Sequence, residues 1–266
     1  MRDYGPIPVI DGQERLHADA RYYGFRPNDD AVPTVVADFL AEDVVEIDLP
    51  LEGGNLLRHE GLCLVGSTVH TNHAWSAEEA AVRLAPADCD EVIWLDPLEG
   101  EPTAHIDIFT AIVDGRAVVT DPEAAEQLSE VIEVVEVDWD HTPVGEAWPS
   151  LTNALVLEDV ALVPTYKGRS TLAEWEALVP DREVVGVPAD SLVEAGGGVH
   201  CVTRELPAIE EAMSPPEGCS GCASGGRGAG WPLVLLTLTC TCAGRGRLRS
   251  RRSAGPSCGS SGEPAC

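Results

Sequence analysis

A glycine-rich stretch that contains one cysteine, residues 196–204, is the part of the chain best suited to covalent chemistry. It reads Gly-Gly-Gly-Val-His-Cys-Val-Thr-Arg and follows a helix-like run. Its second half alternates in the manner that predicts a strand. Glycine lets a backbone approach a ligand closely, and a cysteine on a rigid strand is well held for nucleophilic attack. Taken alone, however, the stretch favours a soft loop followed by an inert, buried cysteine.

The spacing of five polar residues favours the first interpretation. Successive members are 52, 52, 46 and 48 residues apart, and they are Asp3, Asn55, Asp107, Asn153 and Cys201. A period of this length is typical of repeated supersecondary units packed around an axis. If the same strand of each unit lines that axis, the five side chains converge on one pocket. His105 precedes Asp107 by two positions, so we expect both side chains on one face of a strand.

The elements that would position these residues repeat in the order strand, strand, helix, strand. Helix starts are marked by Ser76-x-x-Glu79 and Thr171-x-x-Glu174, which read as capping boxes, and by Asp121 before Pro122. The predicted strands are 7–10, 16–22, 44–49, 56–58, 62–69, 91–95, 104–109, 117–120, 132–137, 152–157, 161–164, 183–187 and 199–203. Helices are predicted at 33–41 and 77–84, after Asp121, after Thr171 and at 189–195. The sequence therefore predicts an α/β protein with four full units and the beginning of a fifth.

Charge is distributed unevenly along the chain. Residues 1–213 carry 43 acidic and 11 basic residues, a net charge of −32, whereas residues 214–266 carry 2 and 6, a net of +4. An acidic body repels phosphates and so argues against nucleic-acid binding, and it attracts a cationic substrate. No apolar run reaches the length of a membrane span, so no stable membrane span is predicted.

Cysteines separate the same two regions. Residues 1–213 contain three of the nine cysteines, so we expect this domain to rest on an ordinary core and not on a disulfide scaffold. Residues 214–266 are rich in Gly, Ser, Cys and Arg, which predicts a disordered tail or a sorting tag. Cys219-x-x-Cys222 resembles half of a zinc site, but the second pair, Cys240-x-Cys242, has the wrong spacing, so no metal is predicted.

Four motifs taken together resemble the agmatine deiminase and bacterial-type peptidylarginine deiminase family of the guanidino-group-modifying pentein superfamily. They are Arg-Asp-Tyr-Gly-Pro at 2–6, Gly-Gly-Asn at 53–55, His-Ile-Asp at 105–107 and Gly-Gly-Gly-Val-His-Cys at 196–201. The resemblance covers about residues 1–210. It implies a five-fold pseudosymmetric α/β propeller of strand-strand-helix-strand units. This chain starts inside the first motif, so the expected propeller lacks part of one blade at its N-terminal end.

The resemblance also implies roles for individual residues. Cys201 would be the nucleophile and His105 the general acid and base, while Asp3 and Asp107 hold the guanidinium group. Asn153 would lie near the substrate.

Other candidate residues have weaker assignments. Asn55 is a candidate substrate-binding residue because it belongs to the polar series. In the peptidylarginine branch two arginines grip the C-terminal carboxylate of the substrate; Arg26 matches one, and Gly24 stands in place of the other. We interpret Glu52 as shaping the Gly-Gly turn, and His200 as packing or orienting its loop.

These residue types suit the hydrolysis of a guanidino group. A guanidinium ion stays protonated at physiological pH, so its site needs fixed carboxylates. Its central carbon is a poor electrophile, for which a thiolate is a better nucleophile than a hydroxyl group. The predicted substrate is a cationic guanidino small molecule or an arginine-containing peptide. The predicted products are a ureido compound and ammonia, through a covalent thiouronium intermediate and without a cofactor or metal.

Three other functions stay open at the level of sequence. An amidinotransferase of the same fold would pass the amidino group to an amine, and a related propeller could be non-enzymatic. A truncated propeller could be inactive. Location is open as well: a sorting tag would place the protein outside the cytoplasm or at the cell envelope, whereas a frameshifted tail would leave it cytoplasmic.

Overall fold

The computed structural model describes residues 1–12 and 14–208. In this part of the chain, four consecutive segments each form a three-stranded sheet. In every sheet the first strand pairs antiparallel with the second, and the second pairs parallel with the third. The parallel pair requires a crossover, which a helix supplies. The predicted α/β class and the strand-strand-helix-strand order are confirmed. The predictions for residues 214–266, including the tail, sorting-tag and zinc hypotheses, lie outside the described residues.

The bounds of the first two units agree closely with the sequence pattern. The first unit contains β1 (Ile7–Asp11), β2 (Glu14–Arg21), α1 (Pro27–Asp30), α2 (Val32–Leu40) and β3 (Asp43–Pro50). The second contains a 3₁₀ turn (Gly53–Asn55), β4 (Leu56–His59), β5 (Leu62–Gly66), α3 (Thr68–Thr71), α4 (Ala77–Leu84), a 3₁₀ turn (Ala85–Ala87) and β6 (Glu91–Leu95). The strand predicted at 62–69 ends at Gly66, and α3 follows it.

The third and fourth units repeat this order. The third contains a 3₁₀ turn (Ile106–Ile108), β7 (Thr110–Val113), β8 (Arg116–Val119), α5 (Pro122–Leu128) and β9 (Glu133–Glu136). The fourth contains β10 (Leu155–Val156), β11 (Val160–Thr165), α6 (Leu172–Leu178) and β12 (Glu183–Pro188), and α7 (Asp190–Glu194) follows it.

Three predicted strands are wrong over all or most of their length. Residues 106–108 form a 3₁₀ turn, and residues 199–202 form a turn. In the segment predicted at 152–157, only Leu155–Val156 is a strand. Ile106, Asp107 and Ile108 are all buried, so they do not alternate between two faces as a half-buried strand does.

The two predicted capping boxes behave differently. Ser76 accepts a hydrogen bond from the backbone N–H of Glu79 (3.1 Å), and Glu79 accepts one from the backbone N–H of Ser76 (3.0 Å), as predicted. Thr171 makes no cap hydrogen bond. Its buried hydroxyl group instead donates to the carbonyl of Pro164 (2.5 Å), which ties α6 to β11. Asp121 caps α5 through the backbone N–H of Ala124 (2.9 Å), as predicted.

Neighbouring units share their hydrophobic cores. Helix α4 packs against β3 of the first unit as well as β6 of its own, and one apolar cluster includes Leu49 with Val65 and Leu84. In the fourth unit the fully buried Trp175 donates its indole N–H to the carbonyl of Leu151 (3.1 Å). Because each sheet covers part of the next core, the units pack side by side and their first strands lie near one another.

The first residues of the chain are bonded to the segment that carries the cysteine. The backbone N–H of Arg2 donates to the carbonyl of Cys201 (2.9 Å). The Arg2 side chain forms two hydrogen bonds with the Glu205 carboxylate, of 3.2 and 2.5 Å, and Arg204 donates to the carbonyl of Pro6. These contacts hold Asp3 close to residues almost 200 positions away.

A disulfide bond joins Cys63 in β5 to Cys89, and their Cα atoms lie 5.5 Å apart. Both residues are buried. The domain therefore does not rest on its hydrophobic core alone. It also contains a covalent link between two residues that are 26 positions apart. The pairing depends on how the end of α4 returns to its sheet, and sequence spacing alone does not decide that. Among the described residues, no helix is both long and apolar enough to cross a membrane.

Loss of this disulfide should lower stability measurably. The chain-entropy model gives about 3.5 kcal/mol for a closed loop of this size. We expect Cys89→Ala to lower the free energy of unfolding by about that amount, measured by urea denaturation. Dithiothreitol should destabilise the parent protein and leave Cys89→Ala unchanged. The cysteines of residues 214–266 are present in both proteins, so they cannot cause a difference between them. If dithiothreitol lowered the stability of both proteins equally, a stabilising role of the Cys63–Cys89 bond would be contradicted.

Candidate active site

Cys201 lies in a tight turn and not on the strand that the sequence predicts. The backbone N–H of Val202 donates to the carbonyl of Gly198 (3.3 Å), and that of Thr203 donates to the carbonyl of His200 (3.1 Å). The glycines before it are required by close contacts: a Cβ atom on Gly198 would lie 2.3 Å from Asn153 Oδ1. Because these glycines have no Cβ atom, the turn can lie directly against Asn153.

Asn153 anchors the cysteine turn. It is fully buried. Its Oδ1 accepts hydrogen bonds from the backbone N–H groups of His200 (3.0 Å) and Cys201 (3.3 Å). Its Nδ2 lies 3.1 Å from Cys201 Sγ and donates to it. The structure thus brings Asn153 and Cys201 together, and Asn153 both shapes the turn and contacts the sulfur atom.

The sulfur of Cys201 is surrounded by negative charge. Burial raises the pKa of the thiol well above its ordinary value, and the carboxylate of Asp107 raises it further. Asp107 Oδ2 lies 3.7 Å from Sγ. Without a ligand Cys201 is therefore a thiol, and it needs an added positive charge to become a thiolate.

Asp107 is held ionised by a neighbouring histidine. It is 1% exposed, and its Oδ2 lies 2.8 Å from His200 Nδ1. Burial opposes its ionisation, but the hydrogen bond and charge of His200, together with the charges of His105 and Arg2, keep its pKa below the usual value. His200, expected to pack or orient the loop, links that loop to Asp107.

His105 contacts two carboxylates other than that of Asp107. Its Nε2 lies 3.1 Å from Glu52 Oε2, and its Nδ1 lies 3.7 Å from Asp3 Oδ1. The expectation that His105 and Asp107 share one face of a strand is wrong, because the intervening backbone forms a 3₁₀ turn. Burial alone would lower the pKa of His105, but the Glu52 hydrogen bond and the nearby carboxylates raise it to about 9.

Glu52 is the residue whose role the sequence analysis missed. We interpreted it as shaping the Gly-Gly turn, yet its side chain makes no cap hydrogen bond there and pairs with His105 instead. Gly54, two residues after Glu52, gives the His105 ring room to approach, because a Cβ atom at this position would lie 2.4 Å from His105 Nδ1. An acidic residue directly before two glycines that make room for a histidine is the signal that could have identified it.

Two carboxylate oxygens in this region have no hydrogen-bond donor among residues 1–12 and 14–208. They are Asp3 Oδ1 and Asp107 Oδ1, and both are buried. Burial raises the pKa of Asp3; the charge of His105 lowers it, and those of Asp107 and Glu52 raise it. Buried acceptors of this kind normally have partners. The site therefore has acceptor capacity that a cationic donor would fill.

The remaining candidate residues lie around this centre. Cys201, His105 and Asn153 line one pocket together with Glu101, Glu146 and Trp148. Asn55 lines a neighbouring cavity beside Glu52. Arg26 is exposed, pairs with Asp29 (2.5 Å) and donates to the Tyr22 hydroxyl group (3.2 Å). Its guanidinium lies 5.6 and 5.3 Å from the ring centroids of Tyr4 and Tyr22.

A metal site is not apparent in this part of the chain. No group of three or more His, Cys, Asp or Glu side chains within the described residues is arranged to hold an ion. The histidines are instead engaged with carboxylates, in the pairs His105–Glu52 and His200–Asp107. A buried thiol beside carboxylates and a protonated imidazole is an arrangement that could serve cysteine-dependent chemistry on a cationic substrate.

Comparison with known proteins gives the family. The profile of a family described as Porphyromonas-type peptidyl-arginine deiminase matches residues 1–207. A Streptomyces coelicolor protein named "Putative agmatine deiminase" is 30% identical, over 78% of this chain and 75% of its own length. The chain belongs to this deiminase family, as the four sequence motifs predicted, and it is a hydrolytic deiminase that acts on guanidino groups.

Solved structures agree on the fold. Agmatine deiminase of Enterococcus faecalis superimposes with a TM-score of 0.68 at 21% identity, over 77% of this chain and 74% of that one. Agmatine deiminase of C. jejuni gives a TM-score of 0.63 at 20% identity, over 75% and 69%. At these identities the likeness concerns the α/β fold.

Replacing Glu52 should lower the pKa of His105. We expect Glu52→Gln to reduce it from about 9 by at least about one unit, because a hydrogen-bonded opposite charge is removed. The pKa would be measured from the histidine ring signals in an NMR titration. Glu60→Gln is the matched control, since Glu60 is exposed and lies 3.9 Å from His59. An unchanged His105 titration in Glu52→Gln would contradict the pairing.

Proposed function

We propose that the Cys201 pocket hydrolyses a guanidino group to a ureido group and ammonia through a covalent thiouronium intermediate. The observation that carries this proposal is the pair of buried carboxylate oxygens, Asp3 Oδ1 and Asp107 Oδ1, which lack donors in the described part of the chain. A guanidinium ion offers five N–H donors and a permanent positive charge. It would satisfy both oxygens and place its central carbon near the sulfur.

Substrate binding would generate the nucleophile. The pKa of Cys201 is raised by burial and by Asp107, and a bound guanidinium reverses this local charge. The thiol then loses its proton to solvent, and the thiolate attacks the central carbon. This order of events keeps the cysteine unreactive until a cation of the right shape occupies the pocket.

His105 would serve first as an acid and then as a base. Because its pKa is about 9, the ring is protonated at neutral pH. It gives this proton to the departing nitrogen, so that ammonia leaves and the thiouronium remains on sulfur. The neutral ring then takes a proton from water, and the resulting hydroxide attacks the thiouronium carbon. Collapse breaks the C–S bond and releases the ureido product, and the proton of the added hydroxyl group passes to sulfur, so the thiol and protonated His105 are restored.

The other residues would position these groups. Glu52 orients the His105 ring and keeps its proton in place at neutral pH. Asn153 supports the sulfur through its amide N–H, while His200 holds Asp107 ionised. Asn55 would support the pocket from the side of Glu52, where the two residues line a neighbouring cavity.

We further propose that the units are blades of a five-fold α/β propeller. Four strand-strand-helix-strand units with shared cores support this arrangement. The contacts of Arg2 with Cys201 and Glu205, which bring the segment before the first unit against the segment after the fourth, support it further.

Removing the sulfur should stop catalysis and spare binding. We expect Cys201→Ala to release no ammonia above background, measured with a coupled glutamate dehydrogenase assay, and to bind agmatine or an arginine peptide in calorimetry. Asp107→Asn should bind at least about tenfold more weakly, since a hydrogen bond to a charged group is worth about 1.5–3 kcal/mol. Asp19→Asn is the matched control, because Asp19 is half-buried and accepts a hydrogen bond from Thr34 outside the site.

The same assay separates the proposed reaction from its alternative. Ammonia release without an added amine supports hydrolysis, whereas product formation only with an acceptor amine would indicate an amidinotransferase. Ammonia release by Cys201→Ala at the parent rate would exclude a covalent role for the cysteine.

As substrate we propose a peptidyl arginine or a related arginine derivative, with agmatine as the second candidate. The loop that carries Arg26 supports the first, because the aromatic residues beside it, Tyr23 and Phe25, are 45% and 80% exposed and offer a surface for a larger substrate. The names of the relatives favour the second.

Arg26 should matter only for substrates that end in a carboxylate. We expect Arg26→Gln to lower kcat/KM for a peptide with C-terminal arginine by about tenfold, or about 1.4 kcal/mol, and to leave agmatine unaffected. Arg83→Gln is the matched control, since Arg83 pairs with Asp48 and stacks over Trp75 away from the pocket. If agmatine exceeds every peptide by more than about tenfold in kcat/KM, the peptidyl assignment is wrong.

A further inference from the structure

A second cavity, of about 230 Å³, is separate from the Cys201 pocket, and none of the described residues lines both. The first strands of three units border it, through residues of β4, β7 and β10. Three arginines also line it, Arg2, Arg58 and Arg204, and we call it the arginine cavity. Pro207, which is exposed, is also a lining residue.

The arginine cavity is exceptional in its charge. Residues 1–213 contain 11 basic residues against 43 acidic ones, and three of the 11 line this single cavity. Among the described residues that line it, Glu205 is the only acidic one, and both terminal nitrogens of Arg2 donate to its carboxylate. The Glu205 carboxylate therefore does not pair with Arg58 or Arg204.

Arg58 and Arg204 are held by backbone carbonyls and not by carboxylates. Arg58 donates to the carbonyls of Ala87 (2.6 Å) and Pro8, and Arg204 donates to that of Pro6. Within residues 1–12 and 14–208, neither forms a salt bridge. Burial and the charge of Arg2 lower the pKa of Arg204, and Arg58 adds to this effect. Cations gathered in this way repel one another, and a bound anion would relieve the repulsion.

A buried hydroxyl group in the same cavity also lacks a partner. Thr110, at the start of β7, is fully buried and lines the arginine cavity. Its Oγ1 has no hydrogen-bond partner among the described residues. A buried hydroxyl group without a partner is costly, and one in a residue that lines the same cavity as two arginines is a candidate donor to the ligand they attract.

We propose that the arginine cavity binds a small oxyanion, a phosphate or carboxylate group, through the guanidinium groups of Arg58 and Arg204 and the hydroxyl group of Thr110. Arginine offers paired donors that match the oxygens of either anion. The ligand is opposite in charge to the substrate proposed for the Cys201 pocket, so the two sites would not compete for one molecule.

Isothermal titration calorimetry on the full chain tests this directly. Inorganic phosphate and acetate would be titrated separately at constant ionic strength and constant chloride. We expect saturable binding of at least one of them, and the stronger of the two identifies the anion class. Arg58→Gln and Arg204→Gln should each weaken that binding about tenfold or more, since each removes a charged donor. Arg116→Gln should not, because Arg116 is half-buried and donates to the carbonyl of Leu178 elsewhere.

Thr110→Val provides a second test that does not alter the charge or size of the side chain. It should leave folding intact by circular dichroism and weaken anion binding several-fold. Absence of saturable binding of either anion to the parent protein would overturn the proposal. Anion binding that is unchanged in both single variants, Thr110→Val and Arg58→Gln, would overturn the proposal as well. If an arginine variant fails to fold, Thr110→Val alone decides the outcome.

Discussion

Buried negative charge is the constraint on which the rest of this structure depends. Asp107 is buried and Asp3 and Glu52 are partly buried around His105, and burying carboxylates is costly unless opposite charge is supplied. The protein supplies part of that charge through protonated His105, and His200 is hydrogen-bonded to Asp107 at 2.8 Å. What remains uncompensated keeps Cys201 as a thiol, and one oxygen each of Asp3 and Asp107 has no hydrogen-bond donor within the described part of the chain. The same imbalance that costs stability thus suits the site to a cation.

The fold maintains this arrangement by bringing distant backbone segments into close contact. Glycines at positions 54 and 198 give room to His105 and Asn153, respectively, at separations that a Cβ atom would not allow. The Arg2–Glu205 ion pair and the hydrogen bond from Arg2 to Cys201 hold Asp3 at the site. The contacts that connect the two segments also hold the proposed catalytic groups in place, so we expect stability and catalytic geometry to be coupled.

Much of the architecture could be predicted from local patterns. Helix α4 and strand β6 were predicted with their observed bounds, because an N-cap, an apolar face and a buried strand are encoded by neighbouring residues. The prediction was wrong at 104–109 and 199–203, where continuous apolar or glycine-rich sequence does not distinguish a strand from a turn. Thr171 was misread for a related reason: its hydroxyl group had a tertiary partner, the carbonyl of Pro164, that competed with the local cap.

The sequence by itself determined the α/β class, the repeated unit order and the family. Hydrophobic periodicity and short motifs can be recognised without knowing which residues are in contact. It also identified Cys201, His105, Asp3 and Asp107 as the chemical candidates. Only the tertiary structure decided which side chains contact one another. Glu52 pairs with His105, His200 with Asp107, and Cys63 with Cys89 across separations of 53, 93 and 26 residues. Such pairings follow from how the sheets pack, and side-chain direction at a 3₁₀ turn is not readable from residue spacing.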